Sequence, residues 1–177
     1  MSENIDFRVD YNKFKVMDEF NTDELKYPLI LSIPHCGTVF PEEFLRAVRH
    51  DVMTLRKNED ILVYDLLEPA IRDGGIAAIK LNVSRSFIDV NRAKVELDPN
   101  MFFDYPREDI GLNQQRSRYG LGIIHKVTAD SRPIYAGRIS YKEAEERIKN
   151  VYDVYHGRLK ELIARTIDKF GFCLVLD

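Results

Sequence analysis

Two short stretches of this 177-residue chain hold most of its potential chemistry. The first is "SIPHCGTVFP", Ser32 to Pro41, where His35, Cys36 and Gly37 follow an apolar run. The second is "NVSRSFIDVNRAKVE", where Arg85, Asp89, Asn91 and Arg92 fall within eight residues. A histidine at a strand end can ligate a metal, act as a general base, partner a thiol or simply sit in a turn. Arginine carries a planar fork of donors that grips a carboxylate in two places, so Arg85 and Arg92 suit a small substrate with two carboxylates. The alternative for them is a pair of structural salt bridges with Asp89. His35 and Cys36 are adjacent, and neighbours on extended backbone point to opposite faces, which argues against a thiol–imidazole nucleophile.

Strands and helices must bring these stretches together. "YPLILSIP" reads as a buried parallel strand ending at His35. "PEEFLRAVRH" reads as a helix with Pro41 at its start and Glu42 and Glu43 near its positive end. "NEDILVYDLLEPAIRDGG" reads as a second helix, with Asn58 or Asp60 as cap, Pro69 as a possible kink and Gly74–Gly75 as the stop. "IAAIKLNVS" is a second strand, running into Arg85. The three- and four-residue recurrence of Ile148, Val151, Tyr152, Tyr155, Leu159, Leu162, Ile163 and Ile167 predicts a long helix over 141–170, capped by Gly171. "FCLVLD" is a third buried strand, with Cys173 as a small core residue. The pattern is α/β with a mostly parallel or mixed sheet and flanking helices. Ligands bind beyond the carboxyl ends of such strands, where His35, Arg85 and Asp177 all fall.

The length fits one α/β domain over residues 1–177, with residues 1–25 as a peripheral arm. Residues 94–140 form a long loop or lid, rich in Asp, Asn, Arg, Gly and Pro, and Arg116 and Arg118 suggest a flap over an anionic substrate. Composition is 45% hydrophobic and 31% charged, with net charge −3 and pI about 5.9. That excludes a broad basic surface for nucleic acid or anionic membrane. No apolar run approaches the roughly 20 residues of a membrane span. Two cysteines make no disulfide framework, so a reducing cytoplasm is expected.

Taken in order from about Lys26 to the last residue, "SIPHCGTVFP", "NEDILVYDLL", "NVSRSFIDVNRA", "PIYAGRISYKEAEERI", "YHGRLKELI" and "GFCLVLD" resemble the N-formylglutamate amidohydrolases, relatives of the zinc carboxypeptidase and aspartoacylase enzymes. "SRSFIDVNR" is the most specific piece. The resemblance implies a zinc-exopeptidase-like, hydrolase-type architecture and zinc-dependent hydrolysis of an N-acyl amino acid amide, N-formyl-L-glutamate above all, in histidine degradation. It makes His35 and Asp60 ligands to Zn2+ or another divalent metal. Arg92 with Asn91 becomes a clamp for a substrate carboxylate, and Arg85 a second carboxylate contact or oxyanion donor. The family pattern continues after Asp177 with a histidine ligand and a general-base glutamate. The 177 residues are therefore expected to be the N-terminal portion of a longer family domain, or a shortened relative that binds or scaffolds without catalysis.

Asp177 and His125 are further site candidates, His125 chiefly as a loop histidine. His156 reads as a half-buried helix residue with one hydrogen bond, and His50 as a capping or surface residue. An apolar edge at "CLVLD" would favour a homodimer.

Overall fold

In the computed structural model, which describes residues 4–106 and 119–177, the three parallel strands of the central sheet coincide with short stretches rich in apolar side chains. In chain order the strands are β1 (Asn4–Ile5), β2 (Met17–Phe20), β3 (Leu29–Ile33), β4 (Ala77–Leu81), β5 (Arg138–Ile139) and β6 (Leu174–Leu176). The helices are α1 (Glu42–Ala47), α2 (Val52–Leu55), α3 (Val63–Arg72), α4 (Tyr141–Arg147) and α5 (Asp153–Phe170). The main sheet has the order β2-β4-β3-β6. β4, β3 and β6 run parallel, and β2, from the segment read as an arm, joins antiparallel at one edge. β1 and β5 pair as a separate two-stranded ribbon. The result is a mixed α/β architecture with flanking helices.

Helices cover the two faces of this sheet. On one side α3 lays Tyr64, Leu67 and Ile71 over Leu31, Ile33 and Ala78. On the other, Val151, Tyr155 and Leu162 from the long helical region pack with Ile30, Ile79 and Leu81 in the main core.

Several elements differ from their sequence reading for identifiable reasons. The long helix is interrupted by a π turn at Ile148–Tyr152, which separates α4 from α5. Neither Asn58 nor Asp60 caps α3; Leu62 occupies that position without a side-chain bond. Asp60 instead starts the helix with its backbone carbonyl, bonded by Val63 N–H at 3.2 Å, and turns its side chain to His35. Pro69 sits inside α3 without splitting it. "FCLVLD" does form a strand, but not a buried one: among the described residues β6 pairs on its β3 side alone, and Leu174, Val175 and Leu176 are exposed. Cys173 is correspondingly half-buried rather than enclosed, packed against the edge of the core. Gly171 caps α5 as expected, at φ +83 with its N–H on the Ile167 carbonyl at 2.7 Å.

The described parts of 94–140 hold a 3-10 turn at Pro99–Met101, isolated bridges and, near the end, the short strand β5. Arg116 and Arg118 lie outside the described residues. Among the described residues, no helix is long and apolar enough to cross a membrane.

Candidate active site

Beyond the sheet, the segments that leave β3 and β4 stay together and thereby assemble the site. Val39 N–H bonds the Asn82 carbonyl at 2.8 Å, and Ser84 N–H bonds the Val39 carbonyl at 3.0 Å. Gly37 permits this approach, since a Cβ there would stand 2.3 Å from the Val83 carbonyl oxygen. That accounts for the glycine two residues after His35. Asp60 reaches the same place through its backbone, its N–H bonding the His35 carbonyl at 3.0 Å.

The stretch from Ser84 to Arg92 is a series of turns, not a strand. Phe87, Ile88 and Val90 are sunk in the core, which leaves the polar residues between them facing the site. Arg147, fully buried and paired with Glu143, donates to the Phe87 carbonyl at 2.7 Å and holds the turns from below. The Asp89 N–H is bonded to the Ile123 carbonyl at 2.8 Å.

Asp89 is the hub. Its side chain is fully buried, with Oδ1 2.9 Å from His35 Nε2 and accepting from Asn91 N–H at 2.9 Å. Oδ2 accepts from Arg85 at 2.6 Å, and it lies 3.3 Å from His125 Nε2 and 3.7 Å from Arg92 Nε. Burial pushes the Asp89 pKa up, but hydrogen bonds to His125 and His35 and the Arg85 charge outweigh it and hold the carboxyl well below the usual range. His125 is 97% buried; that burial lowers its pKa against the pull of Asp89, leaving a neutral ring at neutral pH. Asn58 Nδ2 approaches the His125 Nδ1 at 3.4 Å, which places the ring proton on Nε2, the nitrogen on the Asp89 side.

The other face of His35 is the informative one. Its Nδ1 lies 3.2 Å from Asp60 Oδ2, and Asp60 is half exposed. With Nε2–H directed to Asp89, a neutral His35 turns the Nδ1 lone pair toward a carboxylate oxygen. Two acceptors in that position need a proton or a cation between them. Two donor atoms bound tetrahedrally to one zinc at about 2.0–2.1 Å stand roughly 3.3 Å apart, close to the separation found. A ligating histidine whose second nitrogen is held by a carboxylate is also how proteins fix the tautomer of a metal ligand. His35 and Asp60 thus fit a zinc ion as a two-ligand set. Among the described residues no group of three His, Cys, Asp or Glu side chains is placed to hold a metal.

A cavity of about 210 Å³ opens beside this pair, lined among others by Ser32, Pro34, His35, Asp60, Asn91 and Asp177. Asn91 Nδ2 donates to Asp177 Oδ2 at 2.7 Å, and Ser32 Oγ donates to Asp177 Oδ1 at 2.8 Å. Arg85 and Arg92 converge on Asp89 behind His35 and are not among the residues lining this cavity. Their Nε atoms are nonetheless buried without a hydrogen-bond acceptor. Cys36 is buried, and that burial pushes its thiol up, away from the reactive thiolate.

The N-formylglutamate amidohydrolase family model matches residues 27–177. The chain belongs to this family. A crystal structure of N-formylglutamate amidohydrolase from Ralstonia eutropha JMP134 is similar with a TM-score of 0.80 at 26% identity, covering 90% of this chain and 56% of that one. A gene product of Agrobacterium tumefaciens shares the fold at 17% identity, with a TM-score of 0.64 over 94% of this chain and 57% of its own. No curated protein sequence matches. The chain therefore spans little more than half the length of these solved relatives.

His35, Asp60, Arg85, Asn91, Arg92, Asp177 and His125 are all brought to one end of the sheet. His50 is not; it lies near Pro133, its Nε2 3.0 Å from that carbonyl. Sequence reasoning saw Asp89 only as a salt-bridge partner and treated His125 chiefly as a loop residue. The signal for Asp89 was its place two residues before Asn91, the spacing at which an aspartate closes a turn on the following backbone amide. For His125 the sequence held no equivalent signal.

Proposed function

We propose that this chain carries the metal- and substrate-binding half of a zinc-dependent amidohydrolase acting on an N-acyl amino acid, with N-formyl-L-glutamate, giving formate and glutamate, as the best fit. The observation that carries this reading is the Nδ1–carboxylate pair of His35 and Asp60, with His35 braced from behind by Asp89. Held by His35 and Asp60, zinc would supply a Lewis acid that acidifies water and polarises an amide carbonyl. Asp89 keeps the His35 proton on Nε2 and so keeps Nδ1 free as a ligand. Asn91 presents its amide to the cavity for the anionic part of the substrate. Arg85 and Arg92, held on Asp89 behind His35, add positive potential at this end of the sheet. Pro34 and Val63 add apolar lining to the cavity, which limits water around a small substrate.

Metal analysis after exhaustive buffer exchange tests this. About one zinc per chain, lost in His35→Ala and Asp60→Ala, together with formate release from N-formyl-L-glutamate, is the expected result. A second reading, a binding domain without catalysis, is favoured by the two-ligand set among the described residues. It predicts binding of glutamate-like anions with no formate release at any zinc concentration.

A further inference from the structure

Two consecutive residues of α5 reach Asn91 from outside the cavity by different routes. His156 Nε2 lies 2.7 Å from the Val90 carbonyl oxygen. A carbonyl can only accept, so Nε2 carries the proton, and the bond fixes the peptide that enters Asn91. Tyr155 works through side chains. Ser32 has one hydroxyl proton and gives it to Asp177 Oδ1, so the Tyr155 hydroxyl at 3.0 Å must be the donor to Ser32. Asp177 Oδ2 in turn takes one hydrogen of Asn91 Nδ2. This relay orients the Asn91 amide and leaves its other N–H and its carbonyl oxygen for a ligand. The π turn just before α5 adds one residue to that turn and resets the helical register. The Tyr152 ring packs on the His156 ring at 4.2 Å and restricts it.

We propose that Tyr155 and His156 act together as positioning residues for Asn91, one setting its side-chain amide and the other its backbone. This rests on the reading of Asn91 as the ligand-facing amide. It assigns a task to a helix that contributes no atom to the His35–Asp60 cavity. Ordinary packing would also produce two such hydrogen bonds, so the test must separate positioning from stability.

The full chain, supplied with zinc, is titrated calorimetrically with L-glutamate as the carboxylate probe. Tyr155→Phe and His156→Leu should each weaken binding about tenfold, the effect of one lost hydrogen bond. His156→Gln, which keeps a donor, should recover most of that loss. In an Asn91→Ala background neither substitution should weaken binding further. The Asn91 side-chain amide pair in a nitrogen–proton correlation spectrum should also shift in Tyr155→Phe and His156→Leu, with or without ligand. Unmoved Asn91 amide resonances, or a full tenfold loss that persists in the Asn91→Ala background, overturn the proposal. If Asn91→Ala itself leaves glutamate affinity unchanged, the functional reading fails instead, and the amide resonances alone decide the positioning claim.

Discussion

Replacing Asp89 with Asn separates the structural and chemical duties of the site. The substitution keeps the shape of a fully buried side chain but removes the charge on which Arg85, Arg92, His35 and His125 all converge. Asn offers one acceptor oxygen where the carboxylate offers two, so its NH2 must face either the Arg85 contact at 2.6 Å or the His35 contact at 2.9 Å. Removing one partner of a buried ion pair costs about 3–5 kcal/mol, because the remaining charge stays buried without compensation. For a chain of this length each kcal/mol moves Tm by about 2–4 °C, so Asp89→Asn should melt roughly 6–20 °C lower. On the proposed reading of His35 as a zinc ligand, loss of the carboxylate behind it should also weaken zinc about 10- to 100-fold. Asp60→Ala is the control: Asp60 is half exposed, so its removal should change stability by no more than about 1 kcal/mol and, on the same reading, abolish zinc retention. Circular dichroism melts and zinc titration against a chromophoric chelator supply both readouts. An Asp89→Asn protein that melts within about 2 °C of the parent, or binds zinc as tightly, refutes the assignment of Asp89 as hub.

The same group gives a pH signature. Its native pKa lies below the unfolded value, so its contribution is fully present above the ordinary aspartate range near about 4 and is lost as pH falls through and below it. The stability difference between parent and Asp89→Asn should therefore shrink as melts are taken from pH 6 toward pH 3; a constant difference contradicts the cause assigned here. Cys36 should be inert: in a Cys173→Ser background, a thiol reagent at pH 7 should react only on unfolding, and rapid labelling of the native chain would reopen thiol chemistry. Glu143→Gln strands the fully buried Arg147 and should lower denaturant stability by about 3–5 kcal/mol, whereas Glu143→Leu combined with Arg147→Met should lower it by less. Equal losses in the single and double variants would show that Arg147 acts through packing on Phe87 and not through its charge.

The parts of the fold that were legible in the sequence are those set by local pattern. β3 and β4 follow from short apolar runs, and α5 from its three- and four-residue repeat and the glycine after it. The exposure of β6 was not legible, because strand order depends on non-local pairing and an apolar run reads alike at the centre and at the edge of a sheet. His35, Arg85, Asn91 and Arg92 stood out because chemistry-bearing residues followed strand ends, whereas Asp60 stood out only through the family resemblance. Asp89 stood out only as a salt-bridge partner and His125 only as a further candidate, since what distinguishes them is burial: a carboxylate and an imidazole at zero and 3% exposure acquire their importance from each other. The cap of α3 was misread for a related reason. Asp60 is a good capping residue in isolation, but its backbone is tied to the His35 carbonyl and its side chain is turned toward the His35 ring, away from the helix start.

The two readings of the arginines, structural salt bridge or carboxylate clamp, are not exclusive once charge is followed across the site. Asp60, Asp89 and Asp177 stand against Arg85 and Arg92, so with neutral histidines the cluster carries a surplus of negative charge. An anionic substrate would meet repulsion there, whatever donors Asn91 and the arginines offered. A divalent ion held by His35 and Asp60 would reverse the sign of the cluster and release positive potential toward the cavity. On the proposed reading, metal and anion therefore bind with positive coupling, and the coupling must be reciprocal: glutamate should tighten zinc by the same factor by which zinc tightens glutamate. The buried salt bridges to Asp89 are what make this possible. They hold two guanidinium groups in place in the absence of substrate, at an electrostatic balance that the arrival of one cation tips.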